Sequence, residues 1–129
     1  LLADAPDALR RSQRLFDSTG AVHAAGVVDG AADGNPAVTL VREDVGRHNA
    51  VDKVVGRLVL DDELPATGRG LVVSGRASFE LVDKAWAAGF RALVAVSAPT
   101  ALAVATAERA GMQLAGFARG GQMTVYVDG

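Results

Sequence analysis

Three short segments concentrate the side chains able to hold a charged ligand. They are Glu43-Asp44-Val45-Gly46-Arg47-His48-Asn49, Ser74-Gly75-Arg76-Ala77-Ser78 and Ser97-Ala98-Pro99-Thr100. A fourth, Gly116-Phe117-Ala118-Arg119-Gly120-Gly121-Gln122, joins two candidate strands. Arg47, Arg76 and Arg119 offer forked donors that match phosphate oxygens. Ser74, Ser78, Ser97 and Thr100 supply hydroxyls, and Gly46 and Gly75 let backbone approach a ligand closely. Helix N-termini add unpaired N–H groups and partial positive charge. The chemistry is anion capture, and the ligand class carries phosphate or pyrophosphate. Three charge-assisted contacts at about 1.5–3 kcal/mol each give roughly 5–9 kcal/mol gross. Association costs about 4–15 kcal/mol, so a fragment holding such a site binds weakly.

Each of these residues also has a structural use. Ser78 and Thr100 suit helix caps. Arg76 is within sequence reach of an ion pair with Asp44 or Glu80. His48 lies one turn before Asp52 and in line with Val55, where a buried-edge histidine fits. His23, inside an apolar strand, reads as structural, and Gly120-Gly121 as a hairpin turn. Their joint placement at strand-to-helix junctions favours a ligand site.

The composition narrows the chemistry. None of the 129 residues is Cys, which excludes a disulfide scaffold, a Cys-ligated metal and a thiol nucleophile within them. A net charge of −2 argues against a broad nucleic-acid footprint. No apolar stretch approaches the roughly 18 residues of a membrane span. Half the residues are hydrophobic, which suits one globular domain over 1–129. The start, Leu1-Leu2-Ala3, reads as a piece of a longer chain. Zinc deaminases share the order hairpin, helix, strand, helix, with His-x-Glu and Pro-Cys-x-x-Cys as their metal and acid–base motifs. His48-Asn49-Ala50 keeps the His without the Glu, and Ser74–Ser78 has neither Cys, so zinc catalysis is not expected.

The elements that position these segments follow from periodicity. Asp4–Asp17 reads as an amphipathic helix with Pro6 in its first turn, ended by Ser18-Thr19-Gly20. Val22–Val28 and Val38–Val45 read as a hairpin around the turn-rich residues 29–36. From His48 to Leu60, Val51, Val54, Val55, Leu58 and Val59 make one helical face. Leu71–Val73 and Ala92–Val96 read as buried strands. Ser78–Ala88 reads as a helix with Phe79, Val82, Ala85 and Trp86 inward, stopped by Gly89. Thr100–Ala110 is a helix that Gly111 ends; Gln113–Ala118 and Met123–Val127 are the last strands. Strands alternating with helices imply a mostly parallel sheet covered on both faces, with the hairpin as an antiparallel edge. The expected fold is α/β: a three-layer α/β/α domain with a mixed sheet. Ligands then bind beyond the carboxyl ends of the strands.

Arg42-Glu43-Asp44-Val45-Gly46-Arg47-His48-Asn49-Ala50-Val51-Asp52-Lys53 resembles the signature of the formate dehydrogenase accessory sulfurtransferases, the FdhD family. Ser74–Glu80, Val96–Thr100 and Gly116–Arg119 match its later motifs in order, and the resemblance covers about Thr19 to Val127. It implies a cytidine-deaminase-like fold used without zinc. It implies a sulfur carrier for molybdenum cofactor sulfuration, needed for formate dehydrogenase activity. The sulfur rides on a Cys-x-x-Cys loop upstream of the helix corresponding to Asp4–Asp17, which these residues do not include, so they are not expected to transfer sulfur alone. The cargo is the bis(molybdopterin guanine dinucleotide) molybdenum cofactor, and the family's cofactor-binding stretch maps onto Phe117, Ala118, Arg119, Gly120, Gly121 and Gln122. Gln122 stands where the family often has a basic residue, and Ala21 replaces a Gly in the family's Thr-Gly-Gly-x-His at Thr19–His23. The implied partners are a cysteine desulfurase as donor, formate dehydrogenase as recipient and a second copy in a homodimer, in the cytoplasm, with neither nucleic acid nor membrane. The other reading kept open is a nucleotide-binding or dimerisation module without chemistry of its own.

Overall fold

The computed structural model describes residues 5–11, 23–29, 37–119 and 122–128. Its elements run α1 (Ala5–Arg11), β1 (His23–Asp29), β2 (Ala37–Asp44), α2 (Arg47–Leu60), β3 (Gly70–Val73), α3 (Phe79–Ala87), β4 (Ala92–Ala95), α4 (Ala101–Ala110), β5 (Gln113–Arg119) and β6 (Gln122–Val127). The expected extension of the first helix to Asp17, its stop at Ser18–Gly20 and the linker at 30–36 lie outside the described residues.

Six strands form one sheet in the order β2-β1-β3-β4-β5-β6. The β3–β4 and β4–β5 ladders are parallel, and the other three are antiparallel. The sheet is mixed as expected but not mostly parallel. A helical crossover makes parallel neighbours only where nothing intervenes. The crossover through α2 carries the chain from β2 past β1, so β1 lies between β2 and β3 and opposes both. At the other edge the β5–β6 pair is a hairpin, which must be antiparallel.

The pleat sorts side chains to two faces. Ala25, Val27, Leu71, Val73, Leu93, Ala95 and Leu114 meet the buried sides of α2, α3 and α4. Ala24, Val28, Val72 and Val94 meet Ala5 and Leu9 of α1 on the other face. Among the described residues the result is three layers, with three helices on one side and α1 on the other.

Helix ends follow local chemistry. After α3, the Gly89 N–H donates to Trp86 O and the Phe90 N–H to Ala85 O. After α4, Gly111 and Met112 repeat the pattern onto Glu108 and Ala107. Both glycines take positive φ, which is the conformation this motif demands. α2 ends the same way with Asp62 in the left-handed position, at φ 56°.

Three inward assignments need correction. Phe79 and Trp86 are exposed, at 39% and 58%, and the buried stripe of α3 is Leu81, Val82 and Ala85. The two candidate stripes share Val82 and Ala85, so helical spacing alone does not choose between them. Val59 in the last turn of α2 is also exposed, because the buried stripe there is Ala50, Val51, Val54 and Leu58.

Candidate functional site

The carboxyl ends of β2, β3, β4 and β5 lie along one rim of the sheet, and each leads into one of the four segments singled out from sequence. Four strand spacings of about 4.8 Å separate β2 from β5, so the rim is roughly 19 Å long. β1 runs the opposite way, which brings its first residue, His23, to the same rim opposite Asp44.

The β2–α2 junction is braced by Asp44. Its Oδ1 accepts from the Gly46 N–H at 3.0 Å and from Asn49 Nδ2 at 3.4 Å. Its Oδ2 meets Lys53 Nζ at 2.9 Å, while Lys53 also donates to Glu43 O at 2.7 Å. The Gly46 N–H foremost, then Lys53, hold the Asp44 carboxyl down at about 2, from an ordinary 3.8. The loop is thus fixed, yet no side chain among the described residues caps the head of α2. Its N-cap, Gly46, supplies no side-chain cap, and no acidic residue stands in the first turn. The first N–H groups of a helix have no intrahelical partner. Arg47 and His48 sit among them, where the helix dipole disfavours positive charge.

Arg47 is partly buried, and its Nε is a buried side-chain polar atom without a hydrogen-bond partner among the described residues. Leaving such a donor unsatisfied costs about 1–3 kcal/mol. An ideal Cβ on Gly75 would lie 3.4 Å from Arg47 Cδ and 3.3 Å from His23 Nδ1, so Arg47 and His23 close on the side of Gly75 that bears no side chain. His48 is partly buried in the first turn of α2.

At the β3–α3 junction, Ser74 Oγ accepts the Ala24 N–H at 2.9 Å and the Ser74 N–H returns a bond to Ala24 O. Arg76 is exposed and makes no ion pair among the described residues; Asp44 pairs with Lys53 instead. Ser78 is buried and caps α3 through the Leu81 N–H at 3.3 Å. Thr100 caps α4 through the Ala103 N–H at 3.1 Å, and its own N–H donates to Ala77 O. Both hydroxyls do what the cap reading asks. At the β5 end, Gly116 is pressed so closely by Pro99 Cδ and Ser97 O that an added Cβ would stand 2.9 Å from each. Phe117 follows with φ 52°, exposed, at a break in the β5–β6 register. The Ala118 and Arg119 backbone completes β5, Arg119 pairs with Gln122, and Gly120 and Gly121 lie outside the described residues.

Arg47, His48, Gly75, Arg76, Phe117 and the Arg119 backbone therefore lie along one rim, of which only Arg47 and Gly75 are shown in close approach, and Ser74, Ser78 and Thr100 build the frame. Sequence reading missed the proximity of His23 and the bracing by Asp44. The Asp-Val-Gly spacing, which suits a side chain bonding the N–H two residues on, was the available signal for Asp44. Exposed Val45, Phe79, Leu102 and Phe117 add an apolar residue to each of the four segments or the helix starts beside them. At the opposite end of the sheet, Arg69 is held between Asp29 at 2.7 Å and Glu63 at 2.9 Å beside a small cavity, well away from the rim. Among the described residues no helix is long and apolar enough to cross a membrane.

The FdhD/NarQ family model matches residues 1–129. The chain is 56% identical over 126 residues to the sulfur carrier protein FdhD of Streptomyces coelicolor, covering 98% of this chain and 43% of that one. It is 55% identical over 126 residues to the protein of the same name from Nocardia farcinica, covering 98% and 44%. With the one from Saccharolobus solfataricus it shares 44% over 121 residues, covering 94% and 46%. The chain thus spans less than half the length of these relatives. A crystal structure of a formate dehydrogenase accessory protein from Desulfotalea psychrophila superimposes with TM-score 0.83 at 28% identity, covering 97% of this chain and 53% of that one.

Proposed function

The chain belongs to the FdhD/NarQ family, and from that premise we propose that it is the cargo-holding part of a sulfur carrier serving formate dehydrogenase maturation. The cargo is the bis(molybdopterin guanine dinucleotide) molybdenum cofactor, whose pyrophosphate and guanine groups lie along the strand-end rim. The observation that carries this reading is the head of α2: among the described residues it has no side-chain cap and no acidic residue in its first turn, and it carries Arg47 with a desolvated, unpartnered Nε. An anion there would meet the first-turn N–H groups and the guanidinium together. Arg76, exposed and without an ion pair among the described residues, is the next donor along the rim. Phe117, Ala118, Arg119, Gly120, Gly121 and Gln122 would hold the far end of the same ligand. His48 stands beside the first contact, while Ser74, Gly75, Ser78 and Thr100 set the backbone that lines it.

With no cysteine among its 129 residues, the chain cannot form a persulfide on its own side chains. Its share of sulfuration is to bind and orient the cofactor while a thiol from elsewhere delivers sulfur. A cysteine desulfurase would supply that sulfur and formate dehydrogenase would receive the product, in the cytoplasm. The cytidine-deaminase-like fold is part of the same proposal, supported by the order of hairpin, helix and parallel strands. So is the absence of a zinc role, since His48-Asn49-Ala50 lacks the Glu that deaminase chemistry needs.

The test is titration with guanosine diphosphate, which mimics half the cofactor tail. Amide signals of Gly46 to Asn49, Gly75, Arg76 and Phe117 are expected to shift. No shift at millimolar nucleotide would remove the site.

One observation favours the association reading. α2 and α3 expose Val59, Leu60 and Trp86, and the same two helices border a groove of about 240 Å³ lined by Val55, Leu64, Ala87, Ala88 and the Asp52–Lys84 ion pair. A homodimer through this face would appear in sizing experiments, would be unaffected by nucleotide and would be lost in Trp86→Glu.

A further inference from the structure

We propose that His23 and Gly75 are positioning residues, which clamp Arg47 as a pre-set anion-binding arm at the head of α2. This rests on the phosphate-tail reading above and adds to it two residues and a division of labour. Arginine normally carries its nitrogens out to water on a flexible stem. Here the stem turns over Gly75, and Nε is desolvated without a partner among the described residues. A native structure that leaves one such donor unsatisfied calls for an explanation, and preparation for a ligand is the one that fits its place.

The clamp has parts from three elements. Arg47 opens α2, Gly75 follows β3, and His23 begins β1. The antiparallel register sets Ala25 against Val73, and the mutual bonds of Ala24 and Ser74 continue it, so His23 falls opposite Gly75. On its other side His23 faces Asp44, the residue that braces the same loop. Gly75 does not have positive φ, so its need for glycine is one of space. Any side chain would begin 3.3 Å from His23 Nδ1 and 3.4 Å from Arg47 Cδ, and one of them would have to move. A free arginine surrenders rotamer freedom when it grips a ligand. A clamped one has surrendered it on folding, so the arm is ready before the anion arrives.

The experiment follows the Arg47 Nε–H by nitrogen-15 NMR in the full chain, together with guanosine diphosphate titration. In the ligand-free wild type this proton is expected to exchange slowly, while that of exposed Arg76 exchanges fast. In Gly75→Ala and in His23→Ala, Arg47 should come to exchange like Arg76, with the backbone spectrum otherwise kept. Nucleotide binding should weaken by about three- to tenfold, the scale of ordering one long side chain. In an Arg47→Ala background neither substitution should weaken it further. A fast-exchanging Arg47 Nε–H in the wild type overturns the clamp. So does unchanged nucleotide affinity in variants that have lost the slow proton. If the wild type ignores the nucleotide yet shows a slow proton that both variants lose, the clamp stands and the phosphate-tail reading falls.

Discussion

Lys53 Nζ lies 2.9 Å from Asp44 Oδ2, and this ion pair ties the last residue of β2 to the second turn of α2. The same carboxylate takes the Gly46 N–H on its other oxygen. One side chain therefore sets the angle at which α2 leaves the sheet, and with it the place of Arg47.

The pairing has a pH signature. The Asp44 carboxyl is held at about 2, chiefly by the Gly46 N–H and then by Lys53, against an ordinary 3.8. A folded-state value below the unfolded one contributes stability that is full above the unfolded value. That stability is lost as pH falls from about 4 towards 2. Carbon-13 titration of Asp44 should show its midpoint near 2, and Asp44→Asn should flatten that part of the acid-unfolding curve. A midpoint near 4 would mean that the brace does not form in solution.

Arg76 separates binding from folding. It is exposed and outside any ion pair among the described residues, so Arg76→Ala should change stability by less than about 0.5 kcal/mol. Loss of one charge-assisted phosphate contact should weaken guanosine diphosphate binding by about tenfold or more. Calorimetric titration beside thermal melting checks both. A large fall in melting temperature with unchanged binding would assign Arg76 to the fold.

Ser78 and Thr100 test the opposite assignment. Each caps a helix with its side-chain oxygen. Replacement by Ala should cost about 1 kcal/mol apiece in urea unfolding. Ser78 is buried, so Ser78→Ala should leave nucleotide affinity within twofold, roughly the precision that separates a frame residue from a contact. A tenfold loss of binding at unchanged stability would make Ser78 a ligand contact.

What sequence made legible was local. Gly89 and Gly111 mark helix ends because their positive φ is demanded within a few residues, and spacing finds Val51, Val54 and Leu58 on the buried face of α2 while also admitting the exposed Val59. The four rim segments were legible because each sits where a strand hands over to a helix or doubles back. The phase of α3 was not, since Phe79 and Trp86 fit helical spacing as well as Leu81 does, and only the neighbouring α4 and sheet choose between them. His23 was not legible either. Its place beside Gly75 depends on β1 lying between β2 and β3, and no local pattern states that order. The contacts that assemble the rim join segments about fifty residues apart, as Ala24 and Ser74 do.

Asp62 offers a stability gain remote from the rim. It closes α2 at φ 56°, with its N–H on Val59 O and the Glu63 N–H on Leu58 O. Glycine is favoured at this position because it has no Cβ to clash in the left-handed region. That clash costs about 1–2 kcal/mol for an ordinary residue and less for Asp. Glycine returns about 0.4–1 kcal/mol of that by loosening the unfolded chain. Asp62→Gly should therefore stabilise by roughly 0.5 kcal/mol, and Asp62→Ala should destabilise by about 1 kcal/mol. Urea midpoints of the two variants against wild type give the sign directly. If glycine destabilises, the helix end is held by an Asp62 side-chain interaction stronger than the backbone preference. Guanosine diphosphate binding should not change in either variant, because Asp62 lies at the end of α2 away from Arg47.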